Sequence, residues 1–357
     1  MFVYIAVALF PLLIYKIKLD LRSKKLEKLL KITISLLPMF ALIAFRNEMI
    51  GADTYDYIQE FRDMIEKPWS LLFYQTREEY GFRIFVKLMT YVTHSPLFYQ
   101  IVCTALYMVG FASFLYQLDF ESAWPIFFFS TIGIYTFMFT GVRQCIAMSI
   151  CLFSYQFLKH KKLIRFLICI VFAFFFHRSA ILFLFAYLIF RRKFSPLNVI
   201  LYSGITIGSL LLLEQIQNWF GQMMNATYEV EDAGNGLIFF LFLTLLTVAS
   251  IVIIYANNKR TAEVDGLINV SVIAVALWVL RLFTRQAERP SFYFLFFSVA
   301  LFGYAVDSIE DERDRGIIKL VAFALCLALY IYRFFTNFAS FVPYQIYGLE
   351  SLTLSLL

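Results

Sequence analysis

The sequence predicts an all-α polytopic integral membrane protein with about 11 to 12 transmembrane helices. Hydrophobic residues make up 61% of its 357 residues, and charged residues make up only 16%. The mean hydropathy is +0.74. Many windows of about 15 to 20 residues carry no charge, and an α-helix of that length crosses a bilayer. Short clusters of Lys and Arg lie between these windows, as expected for the loops of a multi-pass protein.

The candidate spans follow one another along the chain. Two apolar stretches, 124–158 and 163–190, are each longer than a single span needs. We expect the first to turn near Gly141–Arg143 and the second near His177, because the basic loops would otherwise fall on opposite sides of the membrane. The candidate spans are 2–15, 29–45, 96–117, 124–140, 142–158, 163–176, 178–190, 197–213, 236–256, 266–284, 290–306 and 316–337.

The basic clusters predict the topology. When every cluster is placed in the cytoplasm, the spans alternate without conflict, and both termini face outward. The N-terminal run 2–15 has no basic region before it and no cleavage site after it, so we interpret it as a first span. The clusters are 16–31, 159–165, 191–193, 257–260 and 307–319, which together hold more than half of the 31 Lys and Arg residues.

We expect residues 1–357 to form a single membrane domain. Residues 46–95 would be an external segment with amphipathic interfacial helices, and 214–235 would be a short external loop.

The five cysteines lie in apolar runs without metal-type spacing, so we interpret them as core residues. The net charge of +6 resides in the short loop clusters and predicts no nucleic-acid partner. The sequence contains no nucleotide-binding, nucleophile-elbow or metal-ligand motif, so no cofactor or metal is predicted.

Polar residues gather at the predicted outer ends of the spans. Arginine is disfavoured on that side, and charge near hydrocarbon is costly, so such residues are functional candidates. A set with four arginines, two carboxylates and one histidine suits an anionic, oxygen-rich ligand. The set comprises Arg46, Asp53, Glu79, Arg143, Gln144, His177, Arg285 and Arg289, with Tyr55, Ser179 and Tyr293 near them.

Several of these residues also have a purely structural interpretation. Asp53 is in position to cap a helix, with Asp56 three residues later as in a capping box. Glu79 precedes an amphipathic helix and is a candidate first-turn acid. Arg46 and Arg285 are candidates for snorkelling to lipid headgroups, and His177 for an interfacial anchor. Arg143 is hardest to explain structurally, because it lies within a long apolar stretch.

The order and spacing of these residues resemble the EpsG-type branch of the Wzy-like bacterial polysaccharide polymerases. The resemblance extends over 46–293, although each motif alone is loose. The segment 214–235 is shorter than the large external loop of many such polymerases. The matching motifs are R-x-x-x-x-G-x-D-T-x-x-Y from Arg46, E-x-G-F from Glu79, V-R-Q-x-I-A-x-S-I from Val142, F-H-R-S-A from Phe176 and R-x-x-x-Y from Arg289.

The resemblance implies a fold similar to the GT-C membrane glycosyltransferases. It implies a multi-pass enzyme of the bacterial inner membrane that polymerises oligosaccharide repeat units carried on undecaprenyl pyrophosphate, at the outer face. Membrane lipid and a separate chain-length regulator are implied partners. In this hypothesis Arg46, Arg143, Arg285 and Arg289 bind pyrophosphate. Asp53 is the favoured base with Glu79 and His177 as rivals, and Tyr55, Gln144 and Tyr293 contact sugars.

Three other classes remain as alternatives. A ligase of similar architecture would transfer finished polymer to a lipid acceptor such as a lipid A core. A transporter or flippase would keep its binding groups near the bilayer midplane, on helices broken by Gly or Pro. A membrane O-acyltransferase would need a catalytic histidine with access to a cytoplasmic acyl donor, whereas His177 is predicted to lie outside.

Overall fold

The computed structural model describes residues 2–19, 21–74, 79–120, 122–224, 236–336, 341–348 and 353–354. The predicted all-α class is confirmed. The α-helices are α1 Phe2–Ile14, α2 Lys24–Ala44, α3 Thr54–Glu66, α4 Tyr80–Val92, α5 Pro96–Gln117, α6 Trp124–Thr131, α7 Val142–Phe153, α8 Tyr155–Lys159, α9 Leu163–Phe176, α10 Leu184–Phe190, α11 Pro196–Leu211, α12 Leu213–Met224, α13 Leu237–Ala256, α14 Ala262–Arg281, α15 Glu288–Ser308 and α16 Glu312–Thr336.

Short elements complete the fold. Two strands, β1 and β2, pair antiparallel near the C-terminus. The bounds are β1 Tyr344–Gln345 and β2 Thr353–Leu354, with 3₁₀ helices at Trp69–Leu71, Thr136–Phe139, Arg178–Phe183 and Arg285–Ala287.

Several helices are long and apolar enough to cross a membrane. In the described part of the chain five helices meet this test, and six if the bent pair α11 and α12 forms one span. These findings confirm a polytopic membrane protein. The predicted count of 11 to 12 spans, like the GT-C-like arrangement, stays a prediction, because other candidate spans correspond to shorter helices such as α1 and α9.

The two long apolar stretches break where turns were predicted. Within 124–158, α6 ends at Thr131, and α7 begins at Val142 after a 3₁₀ turn. Gly133 lies in this interruption with φ +87°, a conformation that favours glycine. Within 163–190, α9 ends at Phe176, and a 3₁₀ helix begins at Arg178, so His177 occupies the break.

The chain divides into two compact units. Unit 1 comprises Met1–Phe153, Phe175–His177 and Leu320–Leu357, and unit 2 comprises Ser154–Phe174 and Arg178–Lys319. In unit 1, α5 packs against α2 and α7. Gly110 of α5 approaches α7 so closely that an added Cβ would lie 2.1 Å from Ser149 Oγ. Small residues therefore allow these helices to pack closely, as is common in membranes.

The C-terminal segment of unit 1 pairs with the residues that follow α2. The amide of Asn47 donates to the carbonyl of Gln345 at 2.8 Å, and the amide of Tyr347 donates to the carbonyl of Phe45 at 2.9 Å. A β-bridge between Arg46 and Ile346 lies between these bonds. The sequence patterns did not predict this pairing, since no alternating strand pattern marks residues 341–348.

Unit 2 is built around α15. This helix is apolar around its circumference and almost entirely buried, and it packs against α13 and α14. Such a pattern is expected of a central helix in a membrane bundle. The predicted external loop 214–235 begins as α12 up to Met224, and residues 225–235 lie outside the described residues.

Four of the basic clusters lie together at one end of unit 2. Lys159 Nζ lies 2.8 Å from Glu263 Oε2, and Arg260 Nε lies 2.7 Å from Asp265 Oδ1. These contacts agree with the expectation that the four clusters share a side of the membrane, while that side and its assignment to the cytoplasm stay a prediction. Further contacts at the same end join Arg260 to Phe194, Asn269 to Arg192 and Lys259 to Glu310.

Candidate functional site

Arg46 follows α2 and is buried in unit 1, with 2% of its surface exposed. Its guanidinium donates to the carbonyl of Ile43 at 2.5 Å and to the carbonyl of Ile50 at 3.2 Å. Nε and Nη2 also donate to Thr54 Oγ1 at 3.2 and 3.1 Å. Burial lowers the pKa of Arg46 to about 10, so the side chain stays cationic at neutral pH.

Thr54 links this arginine to the residues that precede α7. Its hydroxyl lies 2.9 Å from the carbonyl oxygen of Phe139. Gly51, with φ +94°, packs on the same carbonyl, and a Cβ there would lie 2.1 Å from Phe139 O. Only glycine fits such a backbone approach. We call Arg46, Gly51, Thr54 and Phe139 the Arg46 clasp. It holds the start of α3 against the entry to α7, which carries Arg143.

Asp53 immediately precedes α3, as the N-cap interpretation predicted. Its side chain makes no capping hydrogen bond, so the predicted capping box with Asp56 does not form. The first turn of α3 is instead anchored through the Thr54 hydroxyl. The start of α3 therefore does not depend on a side-chain cap from Asp53.

Glu79 and Arg143 form an ion pair in unit 1. Arg143 Nη1 donates to Glu79 Oε2 at 3.1 Å. The Glu79 side chain is 6% exposed and the Arg143 side chain 28% exposed. The Arg143 guanidinium carbon lies 6.0 Å from the ring centroid of Tyr57 and 5.9 Å from that of Phe82, within the range of cation–π attraction. A buried carboxylate and two aromatic rings thus orient a partly exposed cation.

Helix α4, which begins directly after Glu79, packs against the residues that precede His177. A Cβ on Gly81 would lie 2.7 Å from both Cβ and O of Phe175. The rings of Phe85 and Phe176 are 6.0 Å apart. The glycine of the E-x-G-F motif is thus required for this close contact. His177 itself is 7% exposed and follows directly.

Residues from four of the five motifs therefore meet in unit 1. We call Tyr57, Glu79, Phe82 and Arg143, with the adjoining residues Phe175–His177, the motif cluster. The remaining candidates of this unit are placed differently: Tyr55 is exposed on α3, whereas Gln144 is 2% exposed.

A small cavity of about 10 Å³ lies beside Arg46 in unit 1. Tyr57, Gln100 and Thr104 are among its lining residues. A volume of this size holds about one water molecule. The cavity therefore has no room for a phosphate group or a sugar at the buried guanidinium.

In unit 2, Arg285 and Arg289 are exposed where the turn after α14 leads into α15. Arg285 lies in the 3₁₀ helix that leads directly into α15, and Arg289 lies in the first turn of α15; that they share one helix face stays a prediction. Arg281 was not predicted; its Nε donates to Glu288 Oε2 at 2.8 Å and bridges the turn. Tyr293 is 1% exposed and accepts a hydrogen bond from Ser179 at 3.2 Å.

Two buried cations of α4 were also missed. Arg83 Nε donates to the carbonyl of Leu72 at 2.7 Å, and Lys87 Nζ donates to the carbonyl of Met64 at 2.8 Å. Their signal in the sequence was spacing, since the two are four residues apart and share a helix face. Among the described residues, no group of three or more His, Cys, Asp or Glu side chains is placed to hold a metal ion.

Comparison with known proteins gives one finding. The family model named EpsG family matches residues 29–346. Searches of curated proteins and of solved structures gave no match. The family match extends over most of the chain and includes all five motifs. The chain therefore belongs to the EpsG family, consistent with an EpsG-type Wzy-like polysaccharide polymerase.

Proposed function

We propose that the protein polymerises oligosaccharide repeat units, such as those of O-antigen or capsule, on undecaprenyl pyrophosphate at the outer face of the bacterial inner membrane. Membership of the EpsG family supports a polysaccharide polymerase of the glycosyltransferase type. The long apolar helices support a substrate that is itself held in the membrane. A chain-length regulator is a further proposed partner.

The orientation of Arg143 by Glu79 carries this proposal. A pyrophosphate leaving group gains negative charge as its bond to the sugar breaks, and a preorganised cation stabilises that charge. The planar fork of an arginine matches phosphate oxygens. Arg143 is also the second residue of α7, where the helix N-terminus favours an anion.

The proposed transfer step forms one bond and breaks one bond. A hydroxyl oxygen of the acceptor repeat unit forms a bond with the anomeric carbon of the donor sugar. The bond from that carbon to the pyrophosphate oxygen breaks, and its electron pair leaves with the lipid pyrophosphate. Arg143 stabilises this leaving group. A base takes the proton of the acceptor hydroxyl.

We assign the base to Asp53, with His177 as its rival. Glu79 already accepts a hydrogen bond from Arg143, so its proposed role is to orient that cation. The Asp53 carboxylate makes no cap to α3, so proton transfer to it would not break the start of the helix. His177 belongs to the same unit and follows the contact between Gly81 and Phe175.

The other candidates receive narrower roles in the proposal. Arg46 is a positioning residue, because each of its guanidinium nitrogens already donates to an acceptor inside the protein. Arg285 and Arg289 form a second, exposed phosphate-binding group in unit 2. Tyr55 is the exposed tyrosine proposed to stack on a sugar, whereas Gln144 and Tyr293 are buried and support their surroundings.

Purified protein in proteoliposomes tests the proposal with lipid-linked repeat units as the only substrate. A polymerase converts single units into a ladder of longer lipid-linked products. A ligase leaves the single units unchanged and consumes lipid-linked polymer only when a lipid A core acceptor is added. A flippase moves the units across the bilayer without changing their length. Failure to form a ladder under conditions in which the protein is folded would overturn the proposal.

A further inference from the structure

Helix α3 packs against helix α4. The exposed side chains of α4 differ in chemical character from those of α3. The exposed side of α3 carries acids, as in a helix whose outer face meets water. The exposed side of α4 carries apolar and aromatic residues instead. The exposed acids of α3 are Asp56, Asp63 and Glu66, and the exposed residues of α4 are Tyr80, Ile84, Leu88, Tyr91 and Val92.

The charged residues of α4 point into the protein. Arg83 is 6% exposed and Lys87 is 4% exposed. Arg83 Nε donates to the carbonyl of Leu72 at 2.7 Å, and Arg83 Nη1 lies 3.8 Å from Glu60 Oε1. Lys87 caps the C-terminal end of α3 through the carbonyl of Met64, where a cation is favourable. This arrangement is the reverse of the one expected for a helix whose free side meets water, which turns its charges outward.

The 3₁₀ turn before α4 extends the same apolar surface. Trp69 Nε1 donates to Tyr91 Oη at 2.9 Å near one end of α4. The rings of Phe73 and Tyr80 are 4.8 Å apart at the other end. Leu71 is exposed between Trp69 and Phe73 in the chain. We call Trp69, Leu71, Phe73, Tyr80, Ile84, Leu88, Tyr91 and Val92 the α4 face.

We propose that the α4 face is immersed in the lipid bilayer, at the boundary between the headgroups and the acyl chains. Helix α3 faces water. The chain passes from Val92 through residues 93–95 into the candidate span α5, which exposes Phe98 in its first turn. Tyr80 and Tyr91 near the two ends of α4, with Trp69, are the aromatic types enriched at membrane interfaces. A helix that is apolar outward and lies along the boundary is typical of interfacial anchors.

This placement has a consequence that rests on the proposed function. Helix α4 begins directly after Glu79, so an immersed α4 holds the ion pair of Glu79 and Arg143 at the depth of the headgroups. The pyrophosphate of a lipid-linked sugar lies at that depth because its polyprenyl chain occupies the hydrocarbon. The donor then enters the motif cluster sideways from the bilayer rather than from the aqueous phase.

Spin-label accessibility tests the placement without any substrate. The full-length protein in nanodiscs is labelled with a nitroxide at Leu88→Cys, and Asp63→Cys on α3 is the matched control. The five native cysteines are buried or half-buried, and labelled wild-type protein corrects for them. We expect collisions of the Leu88 label with oxygen to exceed collisions with a water-soluble nickel chelate, and the reverse at Asp63.

Two outcomes overturn the placement. A Leu88 label that is as accessible to the nickel chelate as the Asp63 label shows that the α4 face meets water. A Leu88 label that is shielded from both oxygen and nickel shows that another protein surface, such as a second copy of the chain, covers the face.

A substrate comparison tests lateral entry. Leu88→Asp places a charge on the α4 face, and Leu88→Phe keeps the face apolar. We expect Leu88→Asp to lower turnover of a long-chain donor in proteoliposomes by about tenfold or more, and to leave turnover of a short-chain, water-soluble donor unchanged. Equal loss on both donors, or on neither, overturns lateral entry. If wild-type protein converts neither donor, the proposed function fails, while the spin-label result still decides the placement of α4.

Discussion

Glu79 Oε2 lies 3.1 Å from Arg143 Nη1, although 63 residues lie between them in the sequence. The two residues belong to different sequence motifs, and the ion pair joins these motifs in the folded chain. The carboxylate is buried and the guanidinium is partly exposed. In the proposed function, this partly exposed cation binds the pyrophosphate and the buried carboxylate orients it.

Glu79→Gln is expected to retain part of the activity. The amide oxygen of glutamine still accepts a hydrogen bond from Arg143, so the cation stays oriented although the pair loses its charge attraction. We expect turnover of lipid-linked repeat units to fall by less than about tenfold for Glu79→Gln, and by about a hundredfold or more for Glu79→Ala. If Glu79→Gln is as inactive as Glu79→Ala, Glu79 acts as the base rather than as the orienting group.

Thr54→Val is expected to destabilise the Arg46 clasp. The substitution keeps the shape of the side chain but removes the hydroxyl that receives the Arg46 guanidinium and reaches the Phe139 carbonyl. A hydrogen bond to a charged group contributes about 1.5 to 3 kcal/mol. Thermal unfolding of the purified protein in detergent measures this as a lower Tm. Thr54→Ser keeps the hydroxyl and should restore the wild-type Tm; equal Tm values for the two variants would contradict the role of the clasp.

Gly81→Ala is expected to displace α4 from the residues before His177. The new methyl group would lie 2.7 Å from atoms of Phe175, including its backbone oxygen, so the helix must shift. Gly204→Ala is the matched control, because Gly204 is also helical and has no heavy atom within 4 Å of an added Cβ. We expect Gly81→Ala to lower both Tm and turnover. Gly204→Ala should leave both unchanged or raise Tm slightly.

Asp53→Asn is expected to lower the catalytic activity without lowering the stability of the protein. Asparagine keeps the size and shape of aspartate and suits the same position before a helix, so the substitution should change Tm little, whereas loss of the base should lower turnover by about a hundredfold or more. Ser95→Ala is the stability control, because Ser95 accepts a hydrogen bond from the amide of Phe98 and such caps contribute about 1 kcal/mol. Unchanged turnover for Asp53→Asn would transfer the role of base to His177.

Much of the fold could be predicted from the sequence. Apolar periodicity located most helices, and the parity of basic loops located the breaks near Gly141 and at His177. The reason is physical: in lipid, hydrophobic length and charge placement dominate the choice of structure. The patterns did not predict the pairing of residues 341–348 with the segment around Arg46, because that contact uses backbone groups that every residue carries.

The sequence indicated which residues are candidates for the site, but not the contacts that these residues make. The polar residues at the span ends included both partners of the ion pair, Glu79 and Arg143. Arg46 was expected to face a ligand, yet it binds the carbonyls of Ile43 and Ile50. Backbone acceptors leave no trace in the identity of the residues that provide them. The inward orientation of Lys87 could not be predicted either. The amphipathic pattern of α4 defines a polar face and an apolar face, but it does not show which of them packs against the protein.

A charge exchange between Glu79 and Arg143 tests the central claim most directly. The double variant Glu79→Arg with Arg143→Glu keeps an ion pair but places a carboxylate where the partly exposed cation stood. An exchange at the surface pair of Glu48 and Arg62 is the matched control, and turnover of lipid-linked repeat units and Tm are measured for each. The account predicts that the double variant recovers Tm relative to Arg143→Glu alone but forms no polymer, while the control polymerises normally. Recovery of polymerisation by the Glu79–Arg143 exchange would contradict the account, because it would show that the pair only holds the structure together.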